Sequence, residues 1–122
     1  MTLQECYEKM GGNYNEVLTR LTKEERIEKF MIRFLEDTSY QELCNALEKK
    51  NYIEVFRMVH TLKGVSLNLG FIKLYEASDK MTEAVRDGIP LTDKSLFFEL
   101  EKNYRQTIEA ITLYSQEIAE IH

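Results

Sequence analysis

Tryptophan is absent from this 122-residue chain, proline occurs once, glycine five times, and cysteine and histidine twice each. So little proline and glycine argues against a disordered or collagen-like chain. Cys6 and Cys44 form neither a C-x-x-C pair nor a metal-ligand spacing, and read as small buried hydrophobes in a reducing, cytoplasmic compartment. His60 and His122 are the only histidines, too few for a histidine-rich metal site. No apolar run approaches the roughly 18 residues of a membrane span. The first residues, Met-Thr-Leu-Gln-Glu-Cys, carry an early acid and no apolar stretch, so no signal peptide is expected. The formal charge of −5 lacks the clustered basic face that a nucleic-acid binder needs. The five glycines form neither G-x-x-x-x-G-K-[ST] nor G-x-G-x-x-G, so ATP-driven self-modification is not expected.

Helical periodicity dominates the chain. Apolar residues recur at three- and four-residue spacing: Leu3, Cys6, Tyr7 and Met10; then Tyr14, Val17, Leu18 and Leu21; then Ile27, Phe30, Met31, Phe34 and Leu35; then Tyr40, Leu43, Cys44 and Leu47. No stretch sustains strand-like alternation. Five capping residues are followed three places later by Glu: Thr2/Glu5, Asn13/Glu16, Thr22/Glu25, Ser39/Glu42 and Asn51/Glu54. Each such pair can satisfy free amide donors in a first helical turn. Gly11-Gly12 and Gly88 are stop signals, Pro90 forbids continuation, and Thr92 is a candidate cap for the last helix.

These signals place helices near 2–10, 14–21, 23–37, 40–49, 52–69, 71–87 and 93–121. The last carries a stripe close to a heptad, from Phe97, Leu100 and Tyr104 through Ile111 to Ile118 and Ile121. It suits a coiled-coil seam or, better, one long helix of a bundle, because the other helices need partners too. Short connections favour antiparallel neighbours. The expected fold is a single all-α domain over 1–122: an up-down antiparallel four-helix bundle with additional short N-terminal helices.

Residues 51–70 stand apart. At 100° per residue with His60 at zero, Val55, Val59, Leu62, Ser66 and Leu69 fall between about 180° and 260°, a core face. Glu54, Arg57, Thr61 and Asn68 fall between about 60° and 120°, a wet face. His60 lies on the border between them, within about 40° of Ile53, Phe56, Gly64 and Leu67, with Lys63 about 60° away. A lone helical histidine, or a lone lysine, is usually a solvated surface residue. A mid-helix glycine costs about 1 kcal/mol relative to alanine, so Gly64 serves either access to the imidazole or close helix packing. As a set the three make chemical sense. A neutral imidazole is a good nucleophile toward an activated phosphoryl group. The product carries close to two negative charges. An ammonium at i+3 can balance that charge, and an absent side chain at i+4 admits a bulky donor.

The run His60-Thr61-Leu62-Lys63-Gly64-Val65-Ser66-Leu67-Asn68-Leu69-Gly70 resembles the signature of the histidine-containing phosphotransfer (HPt) domain family: His-x-Leu-Lys-Gly, a small residue, then Asn/Ser-Leu-Gly and another helix. Met10-Gly11-Gly12-Asn13 is similar to a turn that often opens these domains, and Glu36-Asp37 and Asn51-Tyr52 also fit. The resemblance implies an antiparallel four-helix core. It implies that His60 accepts a phosphoryl group from a receiver-domain aspartyl phosphate and passes it to another receiver aspartate. Lys63 would sit near the phosphoryl oxygens and Gly64 would clear space. The implied partners are response-regulator receiver domains and a hybrid sensor histidine kinase. Mg²⁺ would sit on the receiver, with no cofactor on this chain, which would be a phosphocarrier rather than an enzyme and a monomer.

The family often places a polar residue, commonly glutamine, on the next helix to hydrogen-bond the imidazole; counting along the motif puts Thr82 there. Antiparallel pairing about Gly70 independently brings residues near 80 beside His60. Thr82 is a short replacement, either a ring partner or a plain helix-surface residue, with Asp79, Glu83 or a water as other ring partners. Val59 replaces a frequent alanine. Ile53, Phe56 and Leu67 are expected to form an exposed apolar patch for the partner, and Arg86 to contact it; the bland reading makes the three apolar residues core and Arg86 a solvated cation. A second function class is a non-phosphorylated helical adaptor using the same face. A phosphate-ester hydrolase lacks a carboxylate constellation and is poorly supported.

Overall fold

The structure is a computed structural model and describes residues 1–121. Among them lie seven α-helices, two 3-10 turns and no strand. The helices are α1 (Leu3–Met10), α2 (Tyr14–Leu21), α3 (Glu24–Arg33), α4 (Ser39–Glu48), α5 (Tyr52–Asn68), α6 (Ile72–Ala84) and α7 (Ser95–Ile121). The 3-10 turns are Phe34–Glu36 after α3 and Arg86–Gly88 after α6.

Three of the five expected caps form. Thr2 and Glu5 make a reciprocal capping box, and the Asn13 and Asn51 side chains accept from the amides of Glu16 and Glu54. Thr22 and Ser39 do not cap. Thr22 ends α2 with φ 65°, leaving Lys23 to precede α3 without a side-chain bond. Ser39 is already inside α4, and its amide donates to Asp37 Oδ1 at 2.9 Å. Nor does Thr92 cap α7: the Asp93 carboxylate accepts from the Ser95 amide, two residues further on. Thr22 is left-handed and Ser39 helical, whereas a capping residue needs non-helical, typically extended, backbone; Thr92 lies too far ahead of Ser95 to be the residue next to the helix.

Helices α4, α5, α6 and α7 run up and down in sequence order, and α1, α2 and α3 pack beside them, α1 chiefly on α7. The core draws on every helix: Tyr7, Met10, Val17, Ile27, Met31, Leu43, Val59, Leu62, Phe71, Leu74, Met81, Leu100 and Ile111 are all fully buried. Tyr40 of α4 stacks on Tyr104 of α7, ring centres 3.9 Å apart, which ties the first and last helices of the bundle together.

Two clamps hold the C-terminal end of α5. The Tyr7 hydroxyl donates to the Leu69 carbonyl at 2.7 Å, and Arg20 donates to the carbonyls of Leu67 and Asn68 at 2.8 and 3.1 Å. A cation there also meets the negative end of the helix dipole. The Gly11-Gly12-Asn13 turn seats on the Gly70 turn, with the Asn13 amide donating to the Gly70 carbonyl at 2.9 Å. Gly12 has no room for a side chain: a Cβ there would lie 2.8 Å from both the Gly70 oxygen and the Tyr7 ring. The short N-terminal helices thereby brace the helix that carries His60.

Candidate functional site

Helix α5 buries Val55, Met58, Val59, Leu62 and Ser66, and this side alone sets which way the rest of the helix faces. His60 lies off that side, mid-helix, and is exposed. The Phe56 ring, one turn earlier and half-buried, meets the imidazole edge-to-face with centres 5.8 Å apart.

Two contacts fix how α6 and the turn after it lie against α5. Lys63 Nζ pairs with Asp79 Oδ1 at 2.9 Å. The Arg86 guanidinium lies over the Phe56 ring, 5.8 Å from its centre. Both share one antiparallel register, and that register sets the level of Thr82 opposite His60. The hydrogen bond from Lys63 to Asp79 pushes the ammonium pKa above its ordinary value. Glu83 pairs with Arg86, and that bond holds its carboxyl below the ordinary carboxylate value. Asp79 and Glu83, considered from the sequence as ring partners, are thus both engaged by cations.

Thr82 departs from both of its expected roles. It is fully buried rather than on the helix surface, and its hydroxyl donates to the Ser78 carbonyl at 2.6 Å rather than meeting the imidazole. A threonine inside a helix readily bonds back to the carbonyl one turn earlier, and its side chain is too short to reach elsewhere at the same time. Among the described residues the imidazole has no side-chain or backbone hydrogen-bond partner.

Gly64 is exposed, and a Cβ built on it would meet no other atom within 4 Å. Close helix packing is therefore not the reason for glycine here, and the surface beside His60 is open. Ile53 and Leu67 flank that surface at 75 % and 40 % exposure, so neither is core. Ile89, which sequence reasoning missed, is 58 % exposed and belongs to the same region. The Gly88 turn packs on Ile53 so closely that a Cβ on Gly88 would lie 2.9 Å from Ile53 Cγ1. The signal for Ile89 in the sequence was an apolar residue between Gly88 and Pro90; its position became visible only once the chain after α6 folded back onto α5. Arg86 is exposed in this turn, outside α6, because the helix stops at Ala84 and Asp87 adopts φ 60°.

Among the described residues no group of three or more His, Cys, Asp or Glu side chains is placed to hold a metal ion, and no helix is long and apolar enough to cross a membrane. The arrangement is one exposed imidazole on a rigid helix, with an apolar rim, an open approach and a lysine one turn away.

In comparisons with known proteins, a sequence model of the family described as "Hpt domain" matches residues 33–112. That span runs from the end of α3 through most of α7 and contains every residue of the site. No curated protein and no solved structure gives a significant match.

Proposed function

Because this chain belongs to the Hpt domain family, whose members carry phosphoryl groups on histidine in two-component phosphorelays, we propose that His60 takes a phosphoryl group from the aspartyl phosphate of one receiver domain and gives it to the aspartate of another. The unprotonated ring nitrogen attacks phosphorus. A P–N bond forms, the P–O bond of the acyl phosphate breaks, and its electron pair leaves with the aspartate carboxylate. Onward transfer is the same exchange in reverse: a second receiver carboxylate attacks phosphorus, and the pair of the P–N bond returns to the imidazole.

The observation that carries this reading is the exposed imidazole of His60 beside the unfilled space over Gly64. A receiver must bring its aspartate within bonding distance of the ring, and a side chain at position 64 would stand in the way. Ile53, Phe56, Leu67 and Arg86 form the docking rim around it, a small surface suited to a transient encounter. Lys63 carries positive charge one turn from the ring, with its ammonium paired to Asp79 across the groove. Mg²⁺ belongs to the receiver in this reading, and the chain works as a carrier without ATP chemistry of its own.

The test is phosphotransfer from a receiver charged with acetyl phosphate. Wild-type protein should acquire an acid-labile, alkali-stable phosphate, and His60→Gln should acquire none while keeping its helicity. Receiver binding without any labelling would instead identify an adaptor, and labelling of His60→Gln would move the acceptor elsewhere.

A further inference from the structure

The Lys63 ammonium is not free to serve His60. It crosses the groove between α5 and α6 to Asp79, at 2.9 Å, with its side chain three-quarters buried. Tyr75 and Glu83 of α6 also lie near enough to act on its charge, but Glu83 is committed to Arg86. Asp79 is therefore the carboxylate that decides where the ammonium rests. Lys63 and His60 are three residues apart on one helix, so the two side chains are neighbours, and a dianionic phosphoryl group on the ring would compete for the same ammonium.

We propose that Asp79 is a positioning residue that acts through Lys63: by holding the ammonium against α6 it leaves a phosphoryl group on His60 under-neutralised, and so keeps it easy to pass on. The proposal rests on the phosphotransfer reading above. It also gives a reason for an acid to lie beside a site that must bear a phosphate. Full neutralisation by Lys63 would stabilise phospho-His60 and turn a relay into a store. Ion pairs open to solvent on one side are weak, so the expected effect is about two- to five-fold in an equilibrium rather than orders of magnitude.

The experiment mixes each variant with a fixed amount of one phosphorylated receiver and measures the equilibrium fraction of phospho-His60. The phosphotransfer equilibrium constant calculated from that fraction should rise about two- to five-fold over wild type in Asp79→Asn, and Asp79→Glu should keep the wild-type value. In a Lys63→Ala background, Asp79→Asn should have no effect. Thermal melts of all variants establish that each is folded. If wild type is labelled but Asp79→Asn leaves the fraction unchanged, or if its effect persists without Lys63, the role of Asp79 is overturned and phosphotransfer stands. If folded wild type is never labelled, both fall.

Discussion

The guanidinium of Arg86 covers the ring of Phe56, and that ring in turn stands perpendicular to the His60 imidazole. A cation from the turn after α6 and an aromatic ring on α5 thus frame one side of the imidazole. Arg86 is exposed and Phe56 half-buried, so the pair presents both charge and apolar area beside the ring.

Arg86→Ala should leave stability within about 0.5 kcal/mol of wild type, as exposed substitutions generally do. It should raise the receiver concentration needed for half-maximal transfer. Phe56→Ala should weaken docking more, by about 1–2 kcal/mol, because buried aromatic anchors dominate small interfaces. Initial transfer rates against receiver concentration, with circular dichroism as the folding control, separate the two effects.

At Gly64 stability and function should move in opposite directions. Gly64→Ala places a methyl group in empty space within a helix, so it should stabilise the fold by about 0.5–1 kcal/mol in urea unfolding. Gly64→Gln should fold equally well and transfer phosphate at least several-fold more slowly. Normal transfer by Gly64→Gln would show that the open surface has no role in approach.

The brace on the end of α5 should be measurable. Tyr7→Phe removes the hydroxyl that donates to the Leu69 carbonyl and should cost about 1 kcal/mol. Gly70→Ala should cost more, because φ at this residue is 72° and a new Cβ would press on Asn13 O and Val17 at 3.1 Å. Denaturant unfolding monitored by far-ultraviolet circular dichroism gives both values.

Alkaline pH should unfold the protein in a defined window. Burial pushes the Cys6 thiol from 9.0 up to about 11, and a hydrogen bond to Glu24 pushes Tyr14 from 10.0 up to about 12. Both groups keep their protons more tightly folded than unfolded. Their contribution is therefore complete below pH 9 and is lost as pH rises through about 9 to 12. The buried Tyr7, raised by desolvation, adds to the same loss. Melting temperatures at pH 8, 10 and 11 should fall progressively. A fraction of the loss should disappear in Cys6→Ala, after correction for that variant's lower stability at pH 8.

The helix that carries the site was legible because its constraints are local. Asn51 caps it, an apolar stripe from Val55 to Ser66 sets its buried side, and His60 lies off that stripe; all three are properties of spacing along one helix. The end of α6 was harder to place. The periodicity runs on to residue 87, whereas the helix stops at Ala84: Asp87 is left-handed and Gly88 packs on Ile53 of α5, a contact that spacing along α6 does not encode.

Charge partners and burial across helices were not legible at all. Lys63 could be placed one turn from His60 by counting, but that it reaches Asp79 depends on how α6 slides along α5. Thr82 could be counted to the level of His60, but whether its hydroxyl faces the ring or the core depends on the rotation of α6. Composition and spacing were enough for an all-helical chain with one imidazole on the flank of a core stripe, since those are consequences of the 3.6-residue repeat alone. Register and rotation between helices arise instead from the packing of the whole core. Which neighbour holds the lysine, that Thr82 turns inward, and that the surface over Gly64 stays open are therefore properties of the assembled bundle and of no single segment.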